Sequence, residues 1–172
     1  MSRRIRVKID VEEEKDPSSI INSAFSELSA NDEIEFVLSG CTSVCNTDTV
    51  ITYISSTIMN HHHNHSSVII WMNNNNLLSV PSSLFLLTGM TDLSLANNTL
   101  RAISEELSAL QQLRYLCLND NQLKQLPDAV CALQCLEELY INYNRLDSLP
   151  DAMWRLGRLT HLAVYGNQFH RI

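Results

Sequence analysis

The sequence predicts an α/β solenoid of stacked strand-and-return units, and three observations predict it. One 23-residue pattern occurs five times in succession, starting at Ser67, Met90, Leu113, Leu136 and Leu159. Each copy carries two apolar residues in the alternation of a short half-buried strand: Ile70 and Met72, Leu93 and Leu95, Leu116 and Leu118, Leu139 and Ile141, Leu162 and Val164. Each copy then places an asparagine at its ninth position: Asn75, Asn98, Asn121, Asn144 and Asn167. A fixed period of this length means stacked units.

The asparagine stands where the strand must turn. Its amide offers two donors and an acceptor, so it can satisfy backbone groups that every turn would otherwise bury unpaired. Two places later the chain is apolar again, at Leu77, Leu100, Leu123, Leu146 and Phe169. The second half of the unit spaces its apolar residues by three: Leu126-Pro127 with Val130 and Leu133, and Leu149-Pro150 with Met153 and Leu156. Val80-Pro81 with Leu84 and Leu87 is the same pattern. This suits a 3₁₀ or short α-helical return with proline tolerated in its first turn. Ile103 is followed by Ser104 instead of proline, which predicts a regular helix through Glu105, Glu106, Leu107 and Leu110.

Residues 1–66 lie outside the register and are expected to form two longer β-α capping units, ahead of five repeats over 67–172, the last incomplete. Ile5, Val7, Ile9 and Val11 alternate, so a strand is expected over 3–12. Asp16-Pro17 is a good helix start, with Ile20, Ile21, Ala24, Phe25 and Leu28 on one face. A second strand is expected at 33–39, with Phe36 and Leu38 inward and Cys41 in the asparagine position. Val50, Ile51, Ile54 and Ile58 make another helical stripe. No capping signal precedes Ile172, so either the chain is cut short or something else covers the open end.

Over residues 67–172 these motifs resemble the leucine-rich repeat family, in its 23-residue L-P-x-x-L form. The resemblance implies a right-handed coil of strand and convex return, a concave parallel sheet, and a continuous leucine core. The repeat, the asparagine-rich irregular cap and the expected lack of a signal peptide also look like leucine-rich-repeat effectors that Legionella-type bacteria inject into host cells. That resemblance implies a host-cytosol location and a partner that could be a fellow effector.

Composition narrows the partners. A net charge of −7 argues against nucleic acid and anionic membranes, which need basic patches. No apolar run approaches the roughly 20 residues of a membrane span. The start Met1-Ser2-Arg3-Arg4 leads into alternating apolar and charged residues, not an apolar signal core. Five cysteines exclude a complete internal disulfide framework and suggest a reduced, cytoplasmic protein, monomeric on its own.

Strand side chains alternate, so the residues between the buried ones face the concave side. They form columns: Glu35, Ile69, Asp92, Tyr115, Glu138, His161; then Val37, Trp71, Ser94, Cys117, Tyr140, Ala163. The next are Ser39, Asn73, Ala96, Asn119, Asn142, Tyr165, and finally Gly40, Asn74, Asn97, Asp120, Tyr143, Gly166. Four of the five tyrosines and one of the two tryptophans fall here. Tyr and Trp anchor interfaces through large rigid area and a polar tip. A protein-binding surface is therefore expected at Trp71, Tyr115, Cys117, Tyr140, Asn142, Tyr143 and Tyr165, with Asp92, Asp120, Glu138 and His161 setting its polarity. Packing of sheet tyrosines against one another is the plainer reading of the same residues.

Other constellations carry less. His61-His62-His63-Asn64-His65 could meet a metal, but its serine and asparagine neighbours fit a solvated loop. Cys41 with Cys45, and Cys131 with Cys135, belong to distant coils, whereas a zinc site needs four ligands at one point. Cys117 and His161 sit two strands apart, about 10 Å at the backbone, too far for a catalytic pair. Four scattered glycines exclude a phosphate-binding loop. In the run Asn73 to Asn76, one member fills the repeat position and the rest are expected to decorate the surface.

Neither a catalytic residue, a cofactor nor a metal is expected. The function expected is a non-enzymatic interaction module that binds a protein through its concave face. One form is inhibition of a partner enzyme by covering its active site, as the leucine-rich ribonuclease inhibitors illustrate for this architecture. The alternative is the substrate-recognition fragment of a larger enzyme, such as a bacterial leucine-rich-repeat ubiquitin ligase.

Overall fold

The computed structural model describes residues 3–10, 17–26, 32–41, 44–60 and 67–169. Its organising feature is one curved parallel sheet, in which strands follow each other in chain order, β1 through β7. The strands are β1 (Arg4–Asp10), β2 (Glu33–Ser39), β3 (Val68–Trp71), β4 (Met90–Ser94), β5 (Tyr115–Cys117), β6 (Glu138–Tyr140) and β7 (His161–Ala163). A parallel neighbour requires the chain to return across one face before each new strand. Two returns are α-helices, α1 (Ser18–Ser26) and α2 (Val44–Asn60). Four are 3₁₀ helices: η1 (Ser82–Leu86), η2 (Glu105–Ala109), η3 (Asp128–Ala132) and η4 (Asp151–Arg155).

The core lies between sheet and returns. From the strand side it takes Val7, Ile9, Phe36, Leu38, Ile70, Met72, Leu93, Leu95, Leu116, Leu118, Leu139 and Ile141. The helical stripes supply Ile21, Phe25, Val50, Ile51 and Ile54, and the 3₁₀ returns supply Leu84, Leu107 and Val130. The last coil is less covered: Leu162 and Phe169 are exposed.

The repeated asparagine binds each coil to the one before. Asn121 is buried; its Oδ1 accepts the Leu100 N–H at 3.0 Å, and its Nδ2 donates to Leu95 O at 2.9 Å and Leu118 O at 3.1 Å. Asn98 repeats this arrangement one coil earlier, and Asn144 and Asn167 repeat it one and two coils later. Asn75 meets an irregular coil, so its Oδ1 takes the N–H of Cys41 while its Nδ2 still reaches Leu38 O.

Two expectations about the returns need correction. Residues 105–110 do not form a regular helix; η2 is a five-residue 3₁₀ turn like the others. The 23-residue period leaves no length for more, and serine simply substitutes for proline at the cap, its hydroxyl accepting the Glu106 N–H. The prolines stand before the helices rather than in their first turn: Pro81, Pro127 and Pro150 are N-cap residues with φ of −59°, −68° and −55°. With no proline at its cap, that coil also uses Glu105 across coils, where its carboxylate accepts the Ala129 N–H at 3.0 Å at the start of η3. Asp48 of α2 does the same for the Ser83 N–H of η1.

Candidate protein-binding surface

The strand register puts the predicted columns side by side. Glu35, Ile69, Asp92, Tyr115, Glu138 and His161 are consecutive partners, and so are Val37, Trp71, Ser94, Cys117, Tyr140 and Ala163. Adjacent parallel strands lie about 4.8 Å apart, so large side chains in these two neighbouring columns must pack on each other. They do so as a ladder. The Trp71 ring meets Tyr115 edge-on at 5.6 Å between centroids, passing over the small Ser94 between them. Tyr115 meets Tyr140 at 5.4 Å.

Each end of the ladder is held by a carboxylate. The Trp71 indole N–H donates to Glu35, which also receives two bonds from the Arg6 guanidinium at 2.8 Å each. The Tyr140 hydroxyl donates to Glu138 at 2.7 Å. Arg6 hydrogen bonds hold the Glu35 carboxyl below the ordinary carboxylate range against the opposing pull of its burial, and Glu35 is only 2% exposed. Burial, with Cys117 beside it, pushes the Tyr115 phenol up. The hydrogen bond to Glu138 is the main cause of the rise at Tyr140. Both phenols therefore stay protonated at neutral pH and present rigid, neutral rings with polar tips.

The third column is a second asparagine ladder. Asn73 Oδ1 accepts the Ala96 N–H at 2.9 Å, Asn119 Oδ1 the Asn142 N–H at 2.7 Å, and Asn142 Oδ1 the Tyr165 N–H at 2.8 Å. Asn142 thus has a structural task alongside its place on the face. Asn73 and Asn74 do more than decorate the surface: Asn73 further accepts the Ser94 hydroxyl, and Asn74, though exposed, accepts the Asn97 amide.

The fourth column is fixed by its backbone. Gly40, Asn74, Asn97, Asp120, Tyr143 and Gly166 all have positive φ, between 53° and 71°. Glycine, asparagine and aspartate tolerate that region; a bulky side chain does not. Tyr143 is the exception, and the residue is 55% exposed. It packs edge-on against Tyr165 at 5.4 Å and lies over Gly166, where an added Cβ would stand 2.6 Å from the Tyr143 ring. Tyr165 is 72% exposed.

The predicted residues therefore divide into two aromatic groups on one face. Trp71, Tyr115 and Tyr140 form the half-buried ladder, and Tyr143 with Tyr165 forms an exposed pair at the strand ends. Asp92, Glu138 and His161 border the ladder along the strand starts, and Asp120 is exposed in the Tyr143 column. Glu35, Ile69 and Ser94 on the same columns are buried, and so is Cys117 at 5% exposure. Its place in a contact surface was read from alternation alone, which ignores what neighbouring rings cover. Arg6 was missed as part of the face, although it alternates with Ile5 and Val7 on β1. A groove of about 430 Å³ runs along the strand starts, bounded by Asp92, Tyr115, Glu138, Arg4 and Arg114.

Of the weaker constellations, His61 to His65 lie outside the described residues. Cys41, Cys117 and Cys131 are buried, and burial is the main cause that raises the Cys131 thiol. Among the described residues no three metal-ligating side chains converge, and no helix is long and apolar enough to cross a membrane.

Comparison with known proteins agrees with this architecture. No curated protein sequence matches the chain. Among solved structures it is similar to a leucine-rich repeat protein of Leptospira interrogans, with 17% identity, 99% of this chain covered and a TM-score of 0.60. It is similar to an internalin of Listeria monocytogenes, with 20% identity over 92% of the chain and a TM-score of 0.62. It is also similar to the leucine-rich repeat ectodomain of the receptor kinase SOBIR1 from Arabidopsis thaliana, with 23% identity over 70% and a TM-score of 0.55. At these identities the likeness is one of fold. The chain spans 50%, 47% and 62% of those three proteins respectively. Solenoids of this kind commonly mediate protein–protein interaction. A family profile described as a leucine-rich repeat region matches residues 64–171, more than half of the sequence, and the chain belongs to the leucine-rich repeat family.

Proposed function

We propose that this protein is a non-enzymatic binding module whose concave face takes a protein partner, with Trp71, Tyr115 and Tyr140 at the centre of the contact and Tyr143 and Tyr165 at its edge. The observation that carries the reading is the ladder itself. Three large rings are fixed by each other and by Glu35 and Glu138 before any partner arrives. Rings held in this way lose little conformational freedom on binding, which is what makes aromatic anchors effective. A standard interface of about 1,600 Å² in total fits on five or six strands. Asp92, Asp120 and Glu138 give the face an acidic border, so the fitting partner presents basic or polar groups around an apolar patch. Where that partner is an enzyme with a basic cleft, occupation of the cleft inhibits it.

In this reading residues 1–66 close the N-terminal end of the core, continuing the sheet through β1 and β2. Affinity capture with the wild-type chain beside a Tyr140→Ala/Tyr143→Ala variant, read by mass spectrometry, tests the proposal. A protein retained by the wild type and lost by the variant is the expected result. Equal capture by both removes the concave face as the site.

A further inference from the structure

Three cations meet on the flank where the chain leaves the sheet. Arg101, Lys124 and Arg145 line a groove of about 220 Å³ together with Gln122. The repeat fixes their spacing: Arg101 and Lys124 hold the same place in consecutive units (124 − 101 = 23), and so do Gln122 and Arg145 (145 − 122 = 23). Hydrogen bonds tie the coils beneath them. The Gln122 N–H donates to Leu100 O at 2.9 Å and the Arg145 N–H to Leu123 O at 2.8 Å. Coils joined in this way rise by about 4.8 Å each, so the three cationic side chains line one groove about 10 Å long.

No ion pair among the described residues accounts for that gathering. The three side chains are exposed. Among the described residues the ion pairs are those of Arg3, Arg4 and Arg6 with Asp32, Glu33 and Glu35, and none involves this groove. The next place in the Arg101–Lys124 column is Asp147 (147 − 124 = 23), whose Oδ1 accepts the Ser148 hydroxyl at 2.9 Å and which does not line the groove, so the groove keeps a surplus of positive charge in a chain of net −7. Like charges this close repel, and a bound anion relieves the repulsion.

We propose that this groove is an oxyanion-binding site that takes a carboxylate or phosphate from an acidic segment of a protein partner. Two guanidinium forks match a planar or tetrahedral oxyanion in a bidentate manner, the lysine adds a point charge, and the Gln122 amide adds a neutral donor. The groove spans three coils, about 10 Å, the length of three or four extended residues. Nucleic acid is a poor fit, because its affinity grows with the number of phosphates neutralised and three charges are few. The site is separate from the acidic concave face and does not depend on the aromatic ladder.

Amide NMR of the full chain tests this, with inorganic phosphate, a four-glutamate peptide and a phosphoserine peptide as probes. Saturable shifts at residues 101, 122, 124 and 145 with either peptide are expected, weakened about five-fold by Arg145→Gln and weakened again by high salt. A response to glutamate alone assigns a carboxylate, and to phosphoserine alone a phosphate. Tyr140→Ala binds the peptides as the wild type does, which separates this site from the concave face. The proposal is overturned by three results. One is no saturable shift with either peptide at millimolar concentration, inorganic phosphate alone then being an adventitious ion only. Another is an unchanged response in Arg145→Gln. The last is tighter binding of a short single-stranded RNA than of both peptides.

Discussion

Tyr143 occupies a backbone conformation that its side chain disfavours, at φ 53°, and is nonetheless exposed. A non-glycine residue held there costs on the order of 1–3 kcal/mol, and the edge contact with Tyr165 returns about 0.5–1.5 kcal/mol. Asparagine fills the same place at Asn74 and Asn97 without that cost. Tyr143→Asn is therefore expected to change folding stability by less than about 1 kcal/mol while weakening partner binding; a loss of several kcal/mol in denaturant unfolding would contradict this balance. Glu35 gives a second residue-level test. Its carboxyl titrates below its ordinary value of 4.5 in the folded protein, chiefly because Arg6 hydrogen-bonds to it. A depressed folded value means that its stabilising contribution is fully present above that ordinary value and is lost as pH falls through the folded one. Thermal unfolding of Glu35→Gln should accordingly lose less stability than the wild type between neutral pH and pH values below 4.5. Identical pH profiles would show that the Arg6–Glu35–Trp71 contact contributes nothing.

At the scale of elements, the strand and the asparagine that ends it act as one unit. Asn121→Leu removes the partner of the Leu100 N–H and of the Leu95 and Leu118 carbonyls, all buried between coils. Buried backbone groups left unpaired cost about 1–3 kcal/mol each, so a loss of several kcal/mol in urea unfolding is expected, and a nearly unchanged midpoint would show that the ladder is dispensable. These elements were the most legible part of the sequence. The 2-residue alternation and the 23-residue period fix which side of every strand faces the core, and β2 was expected over the same residues, 33–39, that it occupies. Less legible were features set by neighbours in space. Ser104 suggested a regular helix because serine caps helices, but the fixed period allows only the short turn η2. Cys117 alternates like a surface residue and is buried, with Tyr115 and Tyr140 from adjacent places beside it. The positive φ of the fourth column left a signal in Gly40, Asn74, Asn97, Asp120 and Gly166, all residues that tolerate it, and Tyr143 concealed that signal.

For the whole molecule, parallel strands in chain order give a surface that is long, curved and shallow, which suits a protein partner better than a small molecule. Its features are arranged by column. The aromatic ladder runs across β3, β5 and β6, the acidic side chains border it, and the cationic groove lies on the flank beyond the strand ends. The returns present a different surface, where Asp128 is exposed at the start of η3. The central claim is that the partner meets the sheet and not the returns. The most direct measurement is calorimetric affinity of the captured partner for the wild type, Tyr140→Ala and Asp128→Ala. Loss of a central aromatic anchor costs about 2 kcal/mol or more, roughly 30-fold in Kd, so Tyr140→Ala is expected to weaken binding by that factor while Asp128→Ala stays within about two-fold of the wild type. A Tyr140→Ala affinity equal to the wild type, with binding lost in a folded Asp128→Ala variant, would contradict the account and move the interface to the convex side.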